Sequence, residues 1–352
     1  MKIVVVTVYN SHNSGSYLQA YALMRTLEEM GHEVVFMRRN IRGSSHDKRK
    51  VAKKFLRSLS RGKCRRAYGQ LRQWMIYEKA IKAMRIVDKS TEFYENADCV
   101  VLGSDTIWNF NDSYFRRNAS VYLGSAFWGK RVVTYAVSAA NTPTDVFVKI
   151  VGNHGGLENL SAMLVRDEHT RGLVAAVGKE ARVVVDPTLL ADKSAFAEMT
   201  RKVSVGGRFI LLYYFGAMTE ELIAEVRRYA SVYGLKTVSM PARRKWCDHS
   251  AESSPKNMVS YFAAASCVIT NTFHGTALSM VYEKPFAVRD EGKMKVTELL
   301  SAFGESRRLF SESSAIHKIL QQENDVVKSG RLSRFRDESR LLLEKALNGD
   351  IS

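Results

Sequence analysis

Residues 267–282 read CVITNTFHGTALSMVY: a run of apolar and β-branched residues, a short polar turn, and then an apolar helical pattern. A buried strand that turns straight into a helix is the βα unit of a parallel sheet. The same rhythm recurs outward from this stretch. Upstream, apolar runs at residues 3–8, 32–37, 99–102, 131–137, 163–166 and 182–185 are predicted strands, with a helix over 16–30 that Gly31 closes. A second series starts at residues 209–214, continues with a helix over 219–233 closed by Gly234, and adds strands at 237–240 and 286–288. The pattern predicts two doubly wound α/β domains, at 1–195 and 196–352, with a charged helical segment from 311 onward that crosses back to the first domain.

At 352 residues and 45% apolar, the chain is too long and too apolar for a disordered tail and can fill two cores. Five prolines and no Gly/Ser linker point to closely joined domains. Cys64, Cys99, Cys247 and Cys267 form no CxxC pair, which fits neither a disulfide framework nor a zinc site and favours a reducing cytoplasm. The opening MKIVVVTVYN reads as a strand and not as a signal peptide. No apolar run approaches the roughly 20 residues of a membrane helix.

The formal net charge of +17 is concentrated in one place. From Arg38 to Lys89 there are 18 Lys and Arg against Asp47, Glu78 and Asp88, while the rest of the chain is nearly balanced, 35 against 33. Inside this segment Val51, Phe55 and Leu59 recur among Lys50, Lys53, Lys54, Arg57 and Arg61 as an amphipathic basic helix, and Leu71, Trp74, Met75 and Ile81 suggest a second one. A basic helical insert at about 41–90 has three readings: a structural pair of helices, a patch for an anionic membrane surface, or a nucleic-acid patch, the last least favoured.

In open α/β sheets ligands bind at the carboxyl ends of strands, and a helix N-terminus there favours an anion. The turn in 267–282, with a helix beginning near Thr276, therefore singles out His274, with Gly275 for close backbone approach and Thr272 and Thr276 as hydroxyl donors, read against a histidine that merely caps a helix. The loop Tyr9-Asn10-Ser11-His12-Asn13-Ser14-Gly15-Ser16 holds the equivalent place in the first domain; it lacks GxGxxG and its small polar side chains suit hydroxyl-rich ligands, or a plain helix cap. In Gly103-Ser-Asp-Thr-Ile-Trp-Asn109, Asp105 suits a general base or a cap, and Trp108 a sugar platform or a core anchor. Arg166 suits either an anion clamp or an ion pair, and Arg243-Arg244-Lys245 reads as an exposed loop near the second crevice. No metal-ligand cluster is visible in the sequence.

The motifs NSGSYLQAYALMRTLEEMGHEV, VVLGSDTIWN, TYAVSAA, LVRDEHT, VVVDPTLL and VITNTFHGTALSMVYEKPF, in this order across about residues 2–300, resemble the polysaccharide pyruvyl transferase family. That resemblance implies a GT-B-like fold of two Rossmann-like domains. It also implies transfer of pyruvate from phosphoenolpyruvate, with no cofactor, onto sugar hydroxyls of an oligosaccharide or lipid-linked glycan as a ketal. The family's His-Gly element maps onto His274 and Gly275, and the arginine of its RDxxT-like stretch onto Arg166. Many members carry Arg-Leu-His-Gly where this chain has Thr272-Phe273-His274-Gly275, so one donor-phosphate contact is replaced. The implied roles are His274 as donor ligand and acid and Arg166, Thr272, Gly275 and Thr276 as the donor site. Asn10, Asn13, Ser14, Gly15, Ser16 and Trp108, with Asp105, make the acceptor side. A nucleotide-sugar glycosyltransferase and a non-catalytic glycan- or anion-binding protein are the alternatives.

Overall fold

The computed structural model describes residues 1–11, 13–39, 48–322 and 330–351. The chain forms two compact units, Met1–Leu190 with Asp337–Ser352, and Ala191–Arg336. The division falls at Leu190, where the sequence suggested 195.

Unit 1 is built on seven strands, β1 (Lys2–Val6), β2 (Glu33–Met37), β3 (Ile86–Val87), β4 (Cys99–Leu102), β5 (Arg131–Val137), β6 (Ala162–Val165) and β7 (Arg182–Val183). They are parallel and lie in the order β3-β2-β1-β4-β5-β6-β7. Central parallel strands are covered on both faces, which is why β1 and β4 read as unbroken apolar runs and why Ile3, Val4, Val5 and all of CVVL are buried. Helices α1 (Ser14–Glu29), α2 (Lys48–Ser60), α3 (Cys64–Ile81) and α4 (Glu168–Ala176) belong to this unit. The basic insert is shorter than 41–90, because Ile86 and Val87 pair with β2 as an edge strand.

Unit 2 repeats the scheme with six parallel strands, β8 (Phe209–Tyr214), β9 (Lys236–Pro241), β10 (His249–Ser250), β11 (Cys267–Thr270), β12 (Phe286–Arg289) and β13 (Leu309–Phe310), in the order β10-β9-β8-β11-β12-β13. Its helices include α5 (Glu220–Val232), capped by Thr219, and α6 (Phe273–Val281). The winding reverses between β1 and β4 in unit 1 and between β8 and β11 in unit 2. At such a reversal the following loops diverge and open a crevice at the strand ends.

The helix α7 (Arg331–Asn348) contributes its residues from Asp337 onward to unit 1. Leu343 and Leu347 are buried there, Arg131 donates to the Leu347 carbonyl at 3.1 Å, and Arg340 pairs with Glu29 at 3.0 Å. Ser339 Oγ, itself buried, accepts the Val185 N–H at 3.1 Å. Among the described residues no helix is long and apolar enough to cross a membrane.

A Ser339→Ala variant leaves the Val185 N–H buried without that acceptor, so unit 1 is expected to lose about 1–3 kcal/mol of stability. Chemical denaturation followed by circular dichroism measures it; an unchanged midpoint would show that water replaces the hydroxyl.

Candidate functional site

The crevice of unit 2 is built around the β11–α6 turn. Thr272 is the N-cap of α6, its Oγ1 accepting the Gly275 N–H at 2.9 Å, so the helix starts at Phe273 and not near Thr276. His274 thus stands in the first helical turn, at the positive end of the helix. Its ring is half-buried and edge-on to Phe273, 5.4 Å between centroids, with Nε2 out of contact with solvent.

The other donor-side residues proposed from the sequence have structural duties. Thr276 is fully buried and its Oγ1 donates to the Thr272 carbonyl at 2.9 Å, so its hydroxyl serves the helix and not an anion. A Cβ on Gly275 would overlap Thr270 Oγ1 and come within 2.6 Å of Thr272 Oγ1. The glycine is needed to seat α6 on the strand end, which by itself says nothing about a ligand.

Beside this turn lies a polar group that the sequence reading passed over. Asn271, buried, accepts the Phe215 N–H at 3.0 Å and donates at 2.8 Å both to the Phe215 carbonyl and to Glu291 Oε1. Glu291 also accepts from Tyr214 Oη at 3.1 Å and pairs with Lys293 at 2.7 Å, and Lys293 donates to the Asn271 carbonyl. Arg244, from the run thought to be an exposed loop, is half-buried: it donates to the Tyr214 and Gly216 carbonyls and stacks over the Tyr214 ring at 5.5 Å. Arg243 and Lys245 on either side are exposed. Partial burial would raise the Glu291 carboxyl, but hydrogen bonds from Lys293 and Asn271, the Lys293 charge and the Tyr214 hydroxyl outweigh it and hold it below the usual carboxylate range. Burial first, and then the Glu291 charge, push Tyr214 up to about 12. The ends of β8, β11 and β12 therefore carry one fixed carboxylate, two cations and a histidine. The signal for this was present, since Asn271 and Glu291 each lie just beyond an apolar strand run.

The crevice of unit 1 lies between the loops after β1 and β4. Asp105 has left-handed backbone (φ 75°), uncommon for a residue with a Cβ, and its Oδ1 accepts the Thr106 N–H at 2.8 Å. It is half-exposed at the reversal point, where a carboxylate can reach a ligand. Asn10 is held there by Arg39, which donates to its Oδ1 at 2.9 Å and to Tyr122 Oη at 3.1 Å while stacking over Tyr114 at 4.7 Å. Arg39 was hidden in the sequence by the basic segment around it.

Five acceptor-side expectations are corrected. Trp108 is 0% exposed, packs on Phe147 and donates Nε1–H to the Tyr122 carbonyl at 2.7 Å, so it is a core anchor and no sugar can reach its face. Asn13 Oδ1 is spent on capping α1 through the Gly15 N–H, which takes Gly15's amide with it. Ser14 is buried with its hydroxyl 2.6 Å from Tyr77 Oη on α3. Ser16 is also buried, and its carbonyl accepts from Gln19. Arg166 too is claimed from within unit 1: its side chain is 5% exposed and pairs with the buried Asp186 at 3.3 Å, with Asp167 at 3.9 Å. It is a structural ion pair and not an anion clamp. Among the described residues no group of three His, Cys, Asp or Glu side chains is placed to hold a metal ion.

Two outcomes follow from these placements. Arg166→Ala strands Asp186 as a buried charge and is expected to destabilise unit 1 by about 3–5 kcal/mol, read by chemical denaturation; a variant as stable as the parent would return Arg166 to the ligand-binding residues. Asn271→Ala removes one of the bonds that lower Glu291, so the carboxyl should titrate closer to its ordinary value. A depressed carboxylate contributes stability that is present above its unfolded pKa and lost as pH falls through the folded one. The variant should therefore show a shallower acid-side loss of stability than the parent, and NMR titration of the Glu291 carboxyl checks it directly.

Comparison with known proteins bears on fold and family. Among curated proteins no sequence matches the chain. The solved structures similar to it include the following three. UDP-GlcNAc 2-epimerase from Neisseria meningitidis bound to UDP-GlcNAc has a TM-score of 0.54 at 9% identity, covering 99% of each chain. A Listeria monocytogenes protein assigned as a UDP-N-acetylglucosamine 2-epimerase has a TM-score of 0.50 at 12% identity, covering 97% of this chain and 91% of its own. Spinosyn rhamnosyltransferase SpnG has a TM-score of 0.48 at 13% identity, covering 99% and 100%. At such identities the likeness concerns fold alone, that of a GT-B-like chain with two Rossmann-like units. The Polysaccharide pyruvyl transferase model matches residues 13–291, from the cap of α1 to the glutamate that Asn271 holds, and the chain belongs to that family.

Proposed function

We propose that the protein moves pyruvate from phosphoenolpyruvate onto two hydroxyls of a sugar, in a surface polysaccharide or its lipid-linked precursor, as a ketal. The observation that carries the reading is His274 in the first turn of α6, a titratable donor at the positive end of a helix where the winding of unit 2 reverses. In the proposed sequence an acid delivers a proton to the methylene carbon while a sugar hydroxyl bonds to the central carbon and gives up its own proton to solvent, from which the acid is restored. The carbon–oxygen bond to phosphate then breaks, the second hydroxyl closes the ketal, and its proton leaves with phosphate. The balance needs an acid, a cradle for phosphate and carboxylate, and a face for hydroxyls.

His274 is the acid. With Arg166 committed to Asp186, the donor's anionic groups fall to the first turn of α6 and to the rim of Lys293 and Arg244. Thr272, standing where many relatives have arginine, contributes the cap that fixes that turn. On the acceptor side Asp105 and the Arg39-held Asn10 remain the polar groups at the unit 1 reversal.

Phosphate release from phosphoenolpyruvate, assayed against a panel of glycans, tests the reading. His274→Ala is expected to lower turnover by about 10²–10⁴-fold without changing the melting temperature. Phosphoenolpyruvate should raise the parent's melting temperature by mass action. A shift with uridine diphosphate and none with phosphoenolpyruvate would replace this reading by a nucleotide-sugar glycosyltransferase, and binding without turnover by a non-catalytic protein.

A further inference from the structure

The helices α2 and α3 pack on one another across the turn at Arg61–Lys63, where Gly62 takes a positive φ of 67°. Residues 48–81 hold twelve basic side chains and one acid, Glu78. The hairpin is fastened to the body from one side. Ser58, Ala67 and Tyr77 are buried, Tyr77 Oη meets Ser14 Oγ at 2.6 Å, and Tyr17 Oη donates to the Ala80 carbonyl at 3.1 Å.

Other apolar side chains of the hairpin are uncovered. Leu56 is 61% exposed and Leu59 42% on α2, and Tyr68 is 65%, Leu71 40% and Met75 48% on α3. Positions 56 and 59, and 68, 71 and 75, follow the spacing that puts residues on one helical face. This is not the stripe the sequence suggested: Phe55 is half-buried, and the side chains of Lys50 and Val51 lie outside the described residues. Single exposed leucines are ordinary, but five large exposed apolar side chains within one helical hairpin call for an explanation. Lys53, Lys54, Arg57, Arg61, Lys63 and Arg72, on the same hairpin, are exposed as well.

We propose that this hairpin docks the protein on an anionic membrane surface. A bilayer offers phosphate charge and hydrocarbon within one plane, so cations and leucines are both satisfied on a single face. A nucleic acid would satisfy the cations and leave Leu56, Leu59, Leu71 and Met75 in water. The docking surface is independent of donor and acceptor, so its test needs no substrate.

The full chain is mixed with phosphatidylcholine vesicles made with or without phosphatidylglycerol, and bound protein is measured by co-sedimentation. A polarity-sensitive fluorophore on Cys64 reports insertion in a Cys247→Ser background, because Cys64 is free and exposed in the first turn of α3, Cys247 is half-buried, and Cys99 and Cys267 are buried. The expected result is salt-sensitive binding that requires phosphatidylglycerol, with a blue shift at Cys64. Changing Lys53, Lys54 and Arg57 together to Gln should weaken binding by about 10²-fold, roughly fivefold for each charge. Changing Leu56, Leu59 and Met75 together to Ser should weaken it by about tenfold or more. No binding to phosphatidylglycerol vesicles, or binding with neither a Cys64 shift nor any loss in the Ser variant, overturns the proposal. So does binding of duplex or single-stranded nucleic acid that is tighter than vesicle binding and unaffected by the Ser substitutions.

Discussion

Where the winding of a parallel sheet reverses, two adjacent strands end side by side while their loops leave in opposite directions. The backbone groups at those ends must be satisfied without filling the space between the loops. A buried carboxamide does this in both units. In unit 1 Gln19 reaches back from α1, donating to the Val8 carbonyl at 3.3 Å and the Ser16 carbonyl at 2.8 Å and accepting from Ser104 Oγ, while Thr7 Oγ1 donates to the Ser104 carbonyl at 3.0 Å. In unit 2 Asn271 makes the equivalent tie to both backbone groups of Phe215. A planar amide with donors and acceptor at fixed angles sets the separation of the loops it joins. Asp105 follows Ser104 directly, and His274 follows Asn271 by one turn of chain, so the candidate chemistry hangs from these two side chains.

The sheets were legible because burial on both faces leaves no freedom in composition: IVVV, CVVL and FILLYY can be little else. The two crevices followed from the order of strands and turns. The side-chain duties were not legible, because each is decided by a partner distant in sequence. Arg166 is adjacent to Asp167, yet its closer partner is Asp186, brought in by the segment after β7. Ser14 reads as a helix-start serine until Tyr77 of the insert comes to lie on it. Trp108 is equally good as platform or anchor until Phe147 and the Tyr122 carbonyl close over it. The start of α6 was misplaced for a local reason: Thr-Phe-His-Gly reads as a turn, and only the bond from Gly275 to Thr272 shows that the turn is already helix.

The basic segment divides along the same line. Its charge is a composition fact and needed no structure. Its apolar side did, because Phe55 and Leu56 each fit a helical period with Leu59, and which of the two is the more exposed depends on α3 and on Tyr77 docking against α1.

The chain leaves unit 1 at Leu190 and rejoins it at Asp337, with the whole of unit 2 made in between. The ties that close unit 1 span 154 residues from Val185 to Ser339, 216 from Arg131 to Leu347 and 311 from Glu29 to Arg340. On the ribosome, unit 2 is a continuous stretch that can collapse as it emerges, whereas unit 1 has to wait with the seat of Leu343 and Leu347 open to water. The half of the molecule synthesised first is therefore the half completed last.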